Sequence, residues 1–367
     1  MTLLDRYVLR TLGINYVIAL AIMMSLYTVL DLFFNIDEFT ESGEPAMTIA
    51  TSIISYYGAH AFLYFAQLSG VITLFACMVT LSRMRKANEL TAVLSSGVSL
   101  YRLAVPIVAF GLVTSLLWYV DTEFFIPAVG HRLARNHEDA MGRRARGVWF
   151  VKDRDAALLS AMEFVPADGE MRQLLVLHRD EHGAIISVTE ADRATWEPIV
   201  GHPAGGLWRL ERGLESRRQM RGKGLGPREE RTDQVVSTYE SDLNPHDIEV
   251  RQARQWLAFS SSAQLTALAH SDPTIAGRAR QIKHTRFASP LVHVLMLLLG
   301  LPFFLSREPA NTITDAGGCL LVSGSCFLLA FSGEHIVRTS AWSALPAWLP
   351  LIVFAPVAVI LLDRIRT

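Results

Sequence analysis

The chain has 367 residues, of which 51% are hydrophobic and only 19% charged, with a mean hydropathy of +0.28. That is too apolar for an ordinary soluble protein and too charged for one wholly embedded in lipid, so the charge must be segregated along the chain. A formal net charge of -1 with no run of aromatics among basic residues argues against nucleic acid as a partner, and the three cysteines, Cys77, Cys319 and Cys326, all lie inside apolar runs, which excludes a disulfide framework.

From Leu12 to Phe34 the chain is apolar apart from Asp31, with Asp5, Arg6 and Arg10 before it and Asp37, Glu38, Glu41 and Glu44 after it. This predicts a first spanning helix: the run exceeds the core of a secretory signal, and no small-residue cleavage pattern follows. Tyr56 to Leu81 and Leu103 to Val120 carry no formal charge and predict two more spans. Between them lies a polar island, Arg83 to Arg102. In it Asn88 is placed to cap a short helix, Glu89 sits in the first turn where the helix dipole favours an anion, and Gly97 supplies a stop. Leu90, Val93 and Leu94 fall on one face of that helix, and Arg83, Arg85 and Lys86 stand just before it. The island is either a docking handle or a surface hairpin whose basic residues mark the cytoplasmic side.

Residues 121 to 286 form the one large hydrophilic block, long enough for a domain with its own core. Predicted strands are Gly147 to Lys152, Ala157 to Val165, Leu174 to Arg179, Ala184 to Glu190, Leu207 to Gly213 and Gln234 to Glu240, separated by turn signals such as Pro166-Ala-Asp-Gly169. Short strands at this spacing predict a sandwich or jelly roll. The segment Arg217 to Arg231, rich in Arg, Lys and Gly, reads as a solvated loop. From about Asp247 the period becomes helical, with a capping box at Ser261 and Gln264 and a second start at Asp272-Pro273. Phe287 to Leu305, Ala316 to Gly333 and Ala341 to Leu362 are three further spans, followed by Arg364 and Arg366. With basic residues kept inside, both termini and the island are cytoplasmic and the β domain is outside. The expected architecture is a membrane α-helical chain of six transmembrane helices (3+3) with an inserted β-jellyroll domain. Its parts are spans 1 to 3 over 1–127, the β domain over 128–245, a helical connection over 246–286 and spans 4 to 6 over 287–367.

No GxxxxGK[ST], GxSxG or HExxH motif occurs, so no nucleotide-hydrolysing or hydrolytic site is legible, and the chain reads as non-catalytic with no cofactor. The pairs Glu334-His335, His178 with His182, and His131 with His137 lack a further ligand at metal-site spacing, so no metal is expected. Asp31, Gln67 and His293 are polar residues within spans, where such groups are costly and often functional. For Gln67 and His293 a helix-to-helix hydrogen bond or a snorkelling end residue is the favoured reading. Arg132 and Arg135, three apart just beyond the third span, share a face where basic residues are otherwise disfavoured. Their guanidinium forks suit a phosphorylated lipid, or else pair with Asp121, Glu123, Glu138 or Asp139.

Taken together, Leu4-Asp-Arg-Tyr7, Asn88-Glu89-Leu90 with Ser96-Gly97, Pro127, Ala134-Arg-Asn136, Ala140-Met141, Gly147-Val-Trp149, and Phe287 with Pro290-Leu291 resemble, in order, the LptF/LptG permeases of the lipopolysaccharide exporter, and the LptG branch more than LptF. The resemblance implies an inner-membrane half-transporter. It would pair with a related permease, bind a dimeric cytoplasmic ABC ATPase, draw lipopolysaccharide from the outer leaflet and pass it to a periplasmic bridge of similar β folds. It also implies that the short helix inserts into the ATPase with Glu89 as its glutamate, and that Arg135 matches a basic residue that holds lipid phosphate. The chain departs from the LptG pattern at Phe34, Thr40 and Glu41, where lysines follow the first span, and at Glu138, where a second arginine stands. Rival readings are a same-family permease for another glycolipid and a membrane-anchored scaffold or lipid-modifying protein acting through the β domain. The topology has a direct test. Single cysteines at Ser99 and Gly222 should label from opposite sides of the membrane; reaction of both with an impermeant reagent in intact cells, with outer-membrane access controlled, contradicts the six-span arrangement.

Overall fold

A computed structural model describes residues 3–40, 45–135, 145–180, 182–199, 201, 205–221, 228–252, 256–271, 273–305, 312–335 and 344–363. Six helical segments in them are long and apolar enough to cross a membrane. α1 (Leu3–Thr40) and α2 (Ala46–Lys86) extend well past the apolar runs that predicted them, since helix continues into flanks whose polar residues no longer need to be apolar. A short helix, α3 (Glu89–Ser95), follows, and then α4 (Leu100–Val120), a π turn over Asp121–Phe125 and α5 (Ile126–Leu133) run on as one segment of 34 residues. After the β strands come α6 (Pro245–Gln252), α7 (Ser262–Ser271), α8 (Pro273–Phe304), α9 (Thr312–His335) and α10 (Leu345–Asp363). The predicted capping box opens α7: Ser261 N–H donates to Gln264 Oε1 at 2.8 Å, and Gln264 N–H donates to Ser261 Oγ at 3.3 Å. Asp272 lies outside the described residues, and the helix that begins at Pro273 is continuous with the fourth span.

The chain divides into two compact units, one of Met1–Ile36, Tyr57–Ala128 and Leu257–Thr367, the other of Asp37–Tyr56 and Val129–Trp256. The first holds the membrane core. Val8 and Leu12 of α1, Ile72, Leu81 and Met84 of α2, Leu103 and Ile107 of α4, and Met296 and Leu299 of α8 are buried in one cluster. Apolar lipid offers helices no hydrophobic reason to associate, so close packing and hydrogen bonds must do it. At Gly111 an added Cβ would lie 2.5 Å from Leu297 Cδ2, and at Gly300 one would lie 2.6 Å from Leu74 Cδ1, so α8 approaches its neighbours too closely for larger residues. Asn15 Nδ2 donates to Thr80 Oγ1 at 2.8 Å between α1 and α2. Arg286 of α8 is buried, donating to Glu123 Oε2 at 3.1 Å and to the Ser260 carbonyl at 2.6 Å, while Glu123 accepts from the N–H and hydroxyl of Ser262 at the start of α7.

The second unit carries an antiparallel sheet of eight strands: β1 (Arg146–Lys152), β2 (Leu158–Val165), β3 (Glu170–Arg179), β4 (Ile185–Pro198), β5 (Gly206–Glu211), β6 (Leu214–Arg221), β7 (Arg228–Val235) and β8 (Thr238–Tyr239). Consecutive strands from β1 to β5 are neighbours, and the far edge of β4 is shared, Arg193–Pro198 pairing with β5 and Ser187–Glu190 with β6. Of the segment Arg217 to Arg231, expected as a loop, Arg217–Arg221 and Arg228–Arg231 are paired strand in β6 and β7, with Arg217 opposite Thr232 and Arg221 opposite Arg228, while 222–227 lie outside the described residues. Cross-strand backbone pairing overrides a composition that lacks an apolar alternation to reveal it.

A change of phase in the burial pattern crosses this sheet. The buried positions step from Leu159 and Ala161 to Phe164 on β2, from Met171 to Leu174 and Val176 on β3, and from Ala191 to Ala194 on β4. The buried pattern changes phase by one residue along a line through Met162, Gln173 and Asp192, with strand register unchanged across it, and Gln173 and Arg212 adopt positive φ of 51° and 56° there. Side chains alternate with a period of two, so a change of phase shared by neighbouring strands lets apolar residues spaced by three still line the core.

The two ends of the strand order are joined by a side chain. Asp153, just after β1, accepts from Tyr239 Oη at 2.8 Å, Ser241 Oγ at 2.6 Å and Asp242 N–H at 3.0 Å beside β8. Burial, and then the Asp153 charge, push the Tyr239 phenol above its ordinary pKa, so it remains a donor. Asp153→Ala leaves these donors unsatisfied at about 1–3 kcal/mol each. Limited proteolysis in rising denaturant should therefore cut the β domain earlier in the variant; unchanged protection contradicts the clasp.

Candidate functional site: a polar hairpin and a basic cluster

The hairpin between α2 and α4 forms differently from the expectation at its first residue. Asn88 has φ 58° and ψ 13° and makes no side-chain cap bond. Its N–H donates to the Arg85 carbonyl at 3.0 Å, so it closes α2 as a left-handed terminator, a conformation that asparagine tolerates better than most residues. Gly97, at φ +81°, ends α3 as expected. Leu90 is 4% exposed and belongs to the core that contains Val8, Leu12 and Met84; Leu94 packs against the same cluster, and Val93 is half-buried. The apolar face that sequence reading offered to a partner thus seats α3 on its own bundle. What α3 leaves exposed is Thr91, Ala92 and Ser95, with Lys86 exposed just before it. Glu89 is half-buried, and its Oε2 accepts from Tyr7 Oη at 2.8 Å. Arg85 turns inward and pairs with Asp315 in the first turn of α9.

Asp31 sits on α1 with its Oδ2 accepting from Tyr57 Oη at 2.9 Å and Tyr64 Oη at 3.2 Å, while Asn35 donates to its carbonyl at 2.8 Å. It fastens α1 to α2. His293 meets Trp118 edge-on at 5.3 Å instead of the expected hydrogen bond, and Gln67 is exposed.

The basic pair belongs to the second unit. Arg132 is exposed near the end of α5. Arg135 lies past the helix end and grips Glu249 of α6, Nε to Oε1 at 2.9 Å and Nη2 to Oε2 at 3.4 Å, a carboxylate that sequence reading did not name, while Glu138 and Asp139 lie outside the described residues. Arg146 Nη2 stands 3.0 Å from the same Oε1 without hydrogen-bond geometry, and so contributes charge. The His131 and His246 rings lie 4.5 Å apart beside them. Glu249 has a fully buried side chain. Burial alone would raise its carboxyl, but His246 at 4.0 Å, the Arg135 hydrogen bonds and the charges of Arg135 and Arg146 hold it below the ordinary value of 4.5. Sequence reading missed Glu249 because α6 is polar and carries no apolar period. Its one signal is a capping pair: Asp247 N–H donates to Asn244 Oδ1 at 2.9 Å, and Asp247 Oδ2 accepts from Asn244 N–H at 3.2 Å, with Pro245 between.

A family model described as lipopolysaccharide export system permease LptF/LptG matches residues 6–364. The chain belongs to this family. No curated protein sequence matches it. The six spans in 3+3 order around an inserted β domain accord with that membership. Of the positions at which this LptF/LptG permease departs from the LptG pattern, Phe34 is 77% exposed on α1. The Thr40 side chain, Glu41 and Glu138 lie outside the described residues, as do Asn136, Ala140 and Met141.

The Glu249 cluster has a pH signature. A carboxylate whose folded pKa lies below the unfolded value contributes fully above about pH 4.5 and loses that contribution as pH falls through the folded value. Asp247 acts in the opposite sense, since burial raises it. Comparison of wild type with Glu249→Gln isolates the first group. The variant should unfold its β domain more readily at pH 7, by about 3 kcal/mol for a broken buried ion pair, and the difference should shrink below pH 4.5. A difference equal at pH 7 and pH 3 contradicts the assignment.

Proposed function

We propose that this LptF/LptG permease is the non-catalytic membrane subunit of an ATP-driven exporter in the bacterial inner membrane, with both termini and α3 cytoplasmic and the β domain periplasmic. It draws lipopolysaccharide from the outer leaflet and hands it to a periplasmic bridge. The observation that carries this reading is the family match over residues 6–364, joined to a charged hairpin whose α3 leaves Thr91, Ala92 and Ser95 exposed. Hydrolysis belongs to a separate ATPase dimer, because the chain has no phosphate-binding loop. Glu89, Lys86 and the exposed side of α3 form the contact with that ATPase; Leu90, Val93, Leu94, Arg85 and Gly97 hold the hairpin in shape for it. A related permease completes the pair against the apolar outer faces of the spans, such as Ile14, Ile18 and Leu26 of α1 and Ile352 and Val359 of α10.

For the lipid, Arg132 is the residue we assign to a headgroup phosphate, because it is exposed, and a guanidinium matches phosphate oxygens in a fork. Arg135, held by Glu249, sets the field and the backbone next to it. Asp31 acts on the lipid through α1, its carboxylate holding the helix that borders the path. Lipid and nucleotide would each favour a different arrangement of the spans, and the cycle alternates between them.

Purification of the chain with its native partners tests the proposal. A soluble Walker-motif ATPase should co-purify, and Glu89→Lys should lower its recovery by at least ten-fold, as expected for a desolvated charge contact worth about 2 kcal/mol or more. Arg132→Glu should reduce photocrosslinking to lipopolysaccharide far more than Arg217→Glu in β6. A preparation with no ATPase, or equal crosslinking in the two arginine variants, contradicts the respective part.

A further inference from the structure

α3 is tied covalently only to α2, through residues 87–88, and to α4, through residues 96–99. α1 has no such link, yet it meets α3 at two levels. Tyr7 Oη donates to Glu89 Oε2 at 2.8 Å across 82 residues of sequence. Just beyond, Val8 and Leu12 are buried in the cluster that holds Leu90, and Leu4 and Leu94 pack against it. Asn15, one turn further on, bonds Thr80 of α2. Beyond Met23 the helix presents Leu26, Val29, Leu30, Phe33 and Phe34 as an exposed face, and it is fastened to α2 again where the Tyr27 ring meets Tyr64 at 4.4 Å and Asp31 accepts from Tyr57 and Tyr64. A helix of 38 residues is about 57 Å long at the usual rise, so a small tilt imposed on its first turns displaces its far end by much more.

We infer that Tyr7 is the positioning residue through which α3 moves the first span: its hydroxyl binds the Glu89 carboxylate, so that α1 follows whatever displaces the hairpin. This rests on the reading of α3 as the ATPase contact. The chemistry suits the task. A phenol donating to a carboxylate makes a charge-assisted bond that is directional and stronger than one between neutral groups, and it leaves the other carboxylate oxygen available to a cation on the partner. The apolar contacts of Leu4, Val8 and Leu12 fix where α1 sits; the Tyr7 bond fixes which way its first turns lean. A β-branched or aliphatic residue at position 7 would keep the packing and lose the lean.

Tyr7→Phe separates the two roles, because it keeps the ring and removes only the donor. In the reconstituted complex of permease pair and ATPase, with lipopolysaccharide in proteoliposomes, both phosphate release and lipid released to a soluble acceptor are measured. The expected result is that ATPase still co-purifies with Tyr7→Phe while lipid released per ATP falls about five-fold, the scale of one lost hydrogen bond. Glu89→Ala should lower the same ratio, and the double variant should be no worse than Glu89→Ala alone, since both remove one bond. A Tyr7→Phe ratio equal to wild type, or losses that multiply in the double variant, overturns the inference while the ATPase contact stands. A wild-type chain that recovers no ATPase overturns the reading of α3 and this inference with it.

Discussion

Hydrocarbon does not solvate polar groups, and this constraint organises the molecule from its first span to its last. Charges gather at helix ends and in one inserted domain, and several of those that enter the bundle are paired there. Arg85 meets Asp315, Arg286 meets Glu123 and two carbonyls, and Asp31 meets two tyrosines. Removing one member of such a pair strands the other in a medium where it costs several kcal/mol. The pairs therefore specify which helices are neighbours more sharply than the apolar contacts, which lipid could replace.

The β domain solves a different problem with similar means. Its core face runs from Val148 and Leu159 to Trp208 and Tyr239, and a flat sheet would not enclose it. The change of phase through Met162, Gln173 and Asp192 keeps apolar residues on the core along the whole of each strand, and Asp153 joins the two ends of the strand order by side chain instead of by a strand ladder. α6 covers the outer edge of β1, Gln252 and Arg251 donating to the carbonyls of Gly147 and Lys152, so that edge is not open to unplanned pairing. The same helix supplies Glu249, which links the folding of the domain to the placement of Arg135.

In the first unit, the short helix α3 is docked through Leu90 and held by Glu89 to Tyr7. Burying the leucines on the bundle side leaves the small residues Thr91, Ala92 and Ser95 outward, a surface that another protein's groove can approach closely. In the second unit, Arg132 and Arg135 differ in the same way: one is exposed, the other committed to a buried carboxylate. Two residues that look equivalent in sequence thus differ in surroundings, one exposed and the other paired with a buried carboxylate.

Much of this was legible in the amino-acid order. Uncharged runs of spanning length place six membrane helices, because the cost of a charge in lipid is large and local. Turn signals and short alternating runs place most strands, Gly97 marks the end of α3, and Ser261 with Gln264 marks the start of α7, all through contacts within a few residues. The ordered motifs from Tyr7 to Leu291 carry the family. Tertiary structure alone decided the rest, since it depends on residues far apart in the chain. Asn88 is a terminator and no cap because α2 ends in a left-handed turn there. Arg217–Arg221 and Arg228–Arg231 are strand because β4 offers β6 an edge and β6 in turn offers one to β7. Arg135 is bound by Glu249, 114 residues away, and Leu90 faces inward because α1 lies beside it. Local periodicity records which side of a helix is apolar; only the packed chain determines what that side meets.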